Sequence, residues 1–155
     1  MPGRVPLWKP LVSYVRSTPL VFCPRGGTNC ISVQHVAEAV VGAVGHNGLF
    51  LVGDENLSWN DLLGRISSLT GRRKPVVALP DWSVRLGAVI LRTLHTLQGR
   101  ESGLDPVEFI KVQTAETFFD PSPARTALGF GAGGLDNAIA ATVSACTAKR
   151  QKSSA

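Results

Sequence analysis

Apolar positions crowd one stretch of the chain and change period within it. Cys30-Ile31-Ser32-Val33 is short and partly alternating, which predicts a β-strand at 30–33. Val33, Val36, Ala37, Val40, Val41 and Val44 then recur at helical spacing and predict a helix with one apolar stripe turned inward. Gly26-Gly27 ahead of them marks a tight turn. Leu49-Phe50-Leu51-Val52 is a continuous apolar run of the kind found in a strand covered on both faces. Ser58-Trp59-Asn60-Asp61 follows as a capping box, shortened by an aspartate where glutamate reaches better, with Leu57 and Leu62 at the staple positions. Two consecutive strand–helix units predict an α/β fold with a parallel sheet.

The flanks carry further elements. Trp8, Leu11, Val12 and Val15 predict a first helix over 8–17. Leu20 to Cys23 reads as a short strand or an extended connector, and Lys74 to Pro80 as an extended segment between prolines. Trp82, Leu86, Val89, Ile90, Leu94 and Leu97 form a strong stripe over 81–98, expected to pack against the other helices rather than on a membrane surface. Asp105-Pro106-Val107-Glu108 opens a helix running to about Gln113. Thr117-Phe118-Phe119 suggests a very short strand. Asp120-Pro121 starts a short helix that Gly129 stops, and Leu135, Ala138, Ile139 and Val143 define the last one. The expectation is a single body over 1–147, followed by a disordered basic tail over 148–155.

At 155 residues the chain has material for an ordinary core. No uncharged apolar run is long enough to span a bilayer, and no signal-peptide core opens the chain. The expected compartment is therefore the cytoplasm. The net charge of +5 gathers partly in Arg72-Arg73-Lys74 and in Lys149, Arg150 and Lys152. No continuous basic stripe or aromatic platform accompanies it, so nucleic-acid binding is not expected, and a solvated surface accounts for the charge. Cys23, Cys30 and Cys146 are odd in number and lack metal-ligand spacing, so buried thiols are the reading.

Chemistry is sparse. The GxGxxG turn of dinucleotide sites is absent, and no convincing strand leads into Gly131-Ala132-Gly133-Gly134. His35 falls where the predicted central strand meets its helix, a place suited to capping or structural work. His46 and His95 are expected at the surface. Tyr14 lacks a lysine four residues on, where Thr18 stands, and reads as a packing residue. Asp54 and Glu55 occupy a polar turn that is open to a substrate or to solvent. Thr28 and Asn29 are the most suggestive polar pair, placed to bond a ligand hydroxyl or a neighbouring loop. Arg4, Arg25 and Arg73 are candidates for an anionic group.

In order and spacing, several segments resemble the C-terminal half of extended short-chain dehydrogenases/reductases, the NAD-dependent epimerase/dehydratase family. These are Pro2-Gly3-Arg4, Gly26-Gly27-Thr28-Asn29, Ile31-Ser32-Val33, His35-Val36-Ala37, Gly48-Leu49-Phe50-Leu51-Val52-Gly53 and Asn56-Leu57-Ser58-Trp59. Phe119-Asp120, Ala124, Leu128-Gly129-Phe130 and Leu135, Ala138 and Ile139 continue the likeness to roughly residue 146. The family often has aspartate where this chain has His35.

The resemblance implies the C-terminal portion of a Rossmann-like parallel sheet plus a mainly helical substrate-binding part. It implies Pro2, Gly3 and Arg4 near the nicotinamide end of the cofactor, and Thr28 and Asn29 on the substrate side. A complete relative uses NAD or NADP and a small-molecule substrate such as a nucleotide-sugar, a sterol-like alcohol or a flavonoid-like ketone. The family's GxxGxxG turn and Tyr-x-x-x-Lys pair have no counterpart in this sequence. No catalytic residue carries over, and the chain alone is expected to hold no cofactor stably and to be inactive. The alternative is a non-catalytic module that pairs with an intact relative. Either way an exposed sheet edge is expected to favour association.

Overall fold

Trp8, Leu11, Val12 and Val15 wind into α1 (Lys9–Ser17), which buries Val12 and Val15. The computed structural model describes residues 8–71, 73–80, 82–84, 86, 87, 89, 93 and 111–148. Pro2, Gly3 and Arg4, the helix start at 105–108, His95 and the basic tail beyond residue 148 lie outside the described residues.

The chain continues through β1 (Val21–Pro24), β2 (Gly27–Cys30), α2 (Val33–Gly42), β3 (Glu55–Ser58), α3 (Trp59–Leu69) and β4 (Val76–Leu79). Then come a helical stretch at 111–114, β5 (Glu116–Thr117), α4 (Ser122–Leu128) and α5 (Leu135–Thr147). The architecture is mixed α/β. A two-stranded parallel sheet pairs β1 with β4, and a three-stranded sheet runs in the order β3-β2-β5. Within the second sheet β2 is antiparallel to β3 and parallel to β5.

Local signals that act through caps hold. Ser58 is the N-cap of α3, its Oγ accepting from the Asp61 N–H at 3.1 Å. The same hydroxyl donates to the Asp61 carboxylate at 2.6 Å, a closure that the shorter acid permits. Leu57 and Leu62 are both buried, as a staple requires. Gly129 ends α4 in the left-handed conformation at φ 70°. Lys74, one of the clustered cations, is not a free surface charge. Its Nζ donates to the carbonyls of Val15, Arg16 and Thr18, each at 2.7 Å, and so closes the C-terminal end of α1.

Four expectations are corrected. The strand predicted at 30–33 ends at Cys30 and begins three residues earlier, at Gly27. Ser32 leaves the ladder because its hydroxyl caps α2, accepting from His35 N–H at 3.1 Å. Gly27 belongs to the strand itself. A Cβ there would meet Leu57 O and the Phe118 ring, so only glycine lets the three strands close up.

The second predicted strand does not form. Residues 49–52 carry no ladder; Leu49 is 94% exposed, and only Phe50 and Val52 pack inward. The strand that does enter α3 is β3, and it runs antiparallel to β2. The two strand–helix units therefore do not lie side by side in one parallel sheet.

The valine stripe of α2 faces outward. Val33 is 85% and Val44 81% exposed, and Val40 and Val41 are also exposed. The buried positions of the helix are His35 and Ala39. Gly42 continues that face, and a Cβ there would overlap Leu128 O. Small side chains let α2 and α4 approach closely, and that contact, not the valines, chooses the inner face.

The predicted helix from Trp82 is helical at its described positions, but Trp82 is 70% exposed and Leu86 and Val89 are exposed too. These three residues do not pack into the described core; Ile90, Leu94 and Leu97 of the same stripe lie outside the described residues.

The core has two parts. The larger joins α1, β1, α3 and α5 through Val12, Val15, Val21, Leu63, Ile66 and Ile139. The smaller sets Ala39 of α2 against Ala124, Leu128 and Phe130. Among the described residues no helix is long and apolar enough to cross a membrane.

Candidate functional site

A polar cluster lies where the start of α2 meets the turn into β3. Asp54 is at its centre, with a side chain only 1% exposed. Asp54 Oδ2 accepts from the Ser32 N–H at 2.9 Å, which fixes the entry to α2. His35 Nδ1 lies 2.7 Å from Asp54 Oδ1. Arg125 of α4 places an Nη2 3.9 Å from the same oxygen and donates to Gly53 O at 3.2 Å. Its guanidinium also sits over the Phe130 ring, 5.6 Å from the centroid. The cluster thus ties the start of α2 and the middle of α4 to one buried carboxylate.

A histidine oriented by an aspartate is half of a nucleophilic or general-base arrangement. The other half needs space at the far ring nitrogen. Here Gly131 occupies that side: a Cβ on it would lie 2.9 Å from His35 Nε2. The Gly131 N–H is held at 2.9 Å by Glu38 Oε2, one turn along α2. That bond, then the one from Gln34, holds the Glu38 carboxyl below its ordinary range. The backbone that covers His35 is therefore itself tied to the helix that carries His35. The arrangement positions the ring, whose side chain stays 11% exposed. This agrees with the capping and structural reading of His35, whereas Asp54 is withdrawn from any substrate.

Asn29 and Thr28, the expected substrate-side pair, share β2 but differ in freedom. Asn29 Nδ2 donates to Asn56 Oδ1 at 2.8 Å, and Asn56 Nδ2 donates to Phe119 O at 2.9 Å. This amide ladder clamps β2, β3 and the segment after β5. Asn29 Oδ1 is buried against Gly53 without a partner among the described residues. Among the described residues the Thr28 hydroxyl makes a 3.5 Å contact to Asn29 O, and the residue is partly exposed.

The other candidates separate. Glu55 pairs with Arg65, which also reaches Asp136 at 2.9 Å. Tyr14 donates to Phe22 O at 3.1 Å and accepts from Phe22 N–H at 2.9 Å, so it pins α1 to β1 as a packing residue. His46 is exposed beside Phe50. Arg25 and Arg73 are exposed and do not join the cluster. Burial raises the thiols of Cys23 and Cys30; at Cys30 the nearby Glu55 adds to the shift and Arg65 opposes it. Among the described residues no group of histidine, cysteine, aspartate and glutamate is arranged to hold a metal ion. Arg125 was not evident in sequence. Its one signal is position: it follows Ala124 and precedes Leu128, the two residues that α4 buries.

No family model matches the sequence, and no curated protein does. A solved structure described as the crystal structure of gox2253 shares the fold, with a TM-score of 0.63 and 21% sequence identity. The alignment covers 89% of this chain and 42% of the other, so this chain spans about two fifths of that one's length.

Proposed function

We propose that the chain is the C-terminal portion of an NAD(P)-dependent epimerase, dehydratase or reductase of the extended short-chain dehydrogenase/reductase type. In this reading its sheets continue a Rossmann-like parallel sheet supplied by a nucleotide-binding portion. The valine face of α2 is the observation that carries the proposal. A helix that buries His35 and Ala39 while exposing Val33, Val36, Val40 and Val41 is suited to lie between two bodies. The order of the resembling segments, from Gly26-Gly27-Thr28-Asn29 to Leu128-Gly129-Phe130, names the kind of body expected on the other side.

The roles divide accordingly. The companion portion brings the glycine turn, NAD or NADP, and the Tyr–Lys pair that moves the proton during hydride transfer. This chain brings Thr28 toward the substrate hydroxyl, with Asn29 holding the strand in register. Pro2, Gly3 and Arg4 are assigned to the nicotinamide end. The substrate is a small hydroxy or keto compound of the sugar or sterol-like kind. A second reading, a non-catalytic module that pairs with an intact relative, is favoured by Tyr14, whose hydroxyl is tied to the backbone of Phe22.

The test mixes the purified chain with cofactor and candidate substrates, alone and with a separately produced nucleotide-binding half of an intact family member, and follows nicotinamide absorbance. No turnover alone and turnover with the added half is the expected result. A complex without turnover selects the second reading. Turnover by the chain alone, or indifference to the added half, overturns the proposal.

A further inference from the structure

A cavity of about 140 Å³ opens into the larger core beside Trp8. Val12 of α1, Leu62 and Ile66 of α3, and Ile139 and Val143 of α5 form its apolar walls. Ile31 and Val33, where β2 hands over to α2, stand at its edge. Ala138 and Thr142 line it from successive turns of α5, and their small size leaves the room.

Among the described residues no charged side chain lines the cavity, and the polar groups there are already engaged or weak. Thr142 Oγ1 donates to Ala138 O at 2.8 Å, and Ser32 Oγ accepts from His35 N–H. Cys30 presents a thiol, which burial keeps protonated. A void with such walls forfeits dispersion contacts when empty and offers water too few partners. An apolar cavity of about 150 Å³ is large enough to take up benzene.

We propose that this cavity is a binding site for a small neutral apolar molecule of about one ring. The site is independent of the family reading above, because neither Thr28 nor the valine face of α2 beyond Val33 contributes to it. Specificity is by size and by absence of charge: a single ring fits, whereas a carboxylate or ammonium would lose its hydration without gaining a partner.

The experiment titrates benzene into the full chain labelled at its methyl groups and reads carbon–proton correlation spectra. Saturable shifts confined to the lining methyls, chiefly those of Val12, Leu62, Ile66, Ile139 and Val143, are expected, with benzoate producing none. Ala138→Leu fills the space and is expected to weaken benzene binding by at least about tenfold. Because overpacking can unfold the chain, Val12→Ala provides the opposite change. It enlarges the cavity and is expected to admit naphthalene, which the unmodified chain rejects. Non-saturating shifts, shifts centred on the α2 valines, unchanged affinity in a folded Ala138→Leu, or rejection of naphthalene by a folded Val12→Ala would each overturn the proposal. Equal shifts with benzoate would do the same.

Discussion

His35 Nδ1 and Asp54 Oδ1 are 2.7 Å apart, nineteen residues distant in sequence and nearly closed off from solvent. The pair joins the first turn of α2 to the turn that feeds β3. His35→Ala leaves the Asp54 carboxylate buried with one donor fewer, and a loss of about 2 kcal/mol is expected. Asp54→Ala also strands the Ser32 N–H and the Arg125 guanidinium, so its loss is expected to be larger. Urea unfolding of both single variants and the double variant checks this. The double variant is expected to fall short of the sum by at least about 0.5 kcal/mol, the sign of a direct coupling. Strict additivity would mean that the contact carries no stability.

Two helical glycines are expected to respond in opposite directions to the same substitution. Gly42 of α2 lies where a Cβ would overlap Leu128 O, whereas Gly64 in α3 has nothing within 4 Å. Gly42→Ala is expected to cost about 2 kcal/mol by forcing α2 and α4 apart. Gly64→Ala is expected to gain about 0.5–1 kcal/mol from helix propensity. Thermal melts distinguish the two; a shared sign would show that the α2–α4 approach is wrong.

Replacing outward valines with lysine tests the face assigned to a partner. Val41→Lys and Val44→Lys remove exposed apolar surface without opening the core. Stability is expected to change by no more than about 0.5 kcal/mol. Sedimentation velocity is expected to show weaker self-association and weaker capture of the added nucleotide-binding half. A large loss of stability instead would mean that these valines are buried within the chain itself.

The bond between Glu38 and the Gly131 N–H has a defined pH dependence. The Glu38 carboxyl is held below its ordinary value first by Gly131 and then by Gln34. A depressed carboxyl contributes stability above the unfolded value, and the contribution disappears as pH falls through the folded value. The Gly131 amide resonance is therefore expected to titrate with a midpoint below about 4.3, the ordinary glutamate value. Glu38→Gln is expected to remove that titration. A midpoint at or above the ordinary value would show that the bond does not form in solution.

Sequence by itself determined the helices that close on local chemistry. Ser58 and Asp61 bracket a start, Gly129 permits the left-handed stop, and the spacing of Val12 and Val15 marks an inner face, all through groups within a few residues of one another. Only the tertiary structure decided the direction of α2. Periodicity reveals that a helix has two faces but not which one meets α4, and there the small residues Ala39 and Gly42 outweigh five valines because they allow the backbones to touch. The strand partners were likewise beyond local reading: β2 takes hydrogen bonds from β3 and from β5, and a ladder is completed only by whichever segment arrives beside it. Arg125 joins Asp54 for the same reason, as the folded chain brings α4 against the turn before β3 and sets a guanidinium 3.9 Å from a buried carboxylate.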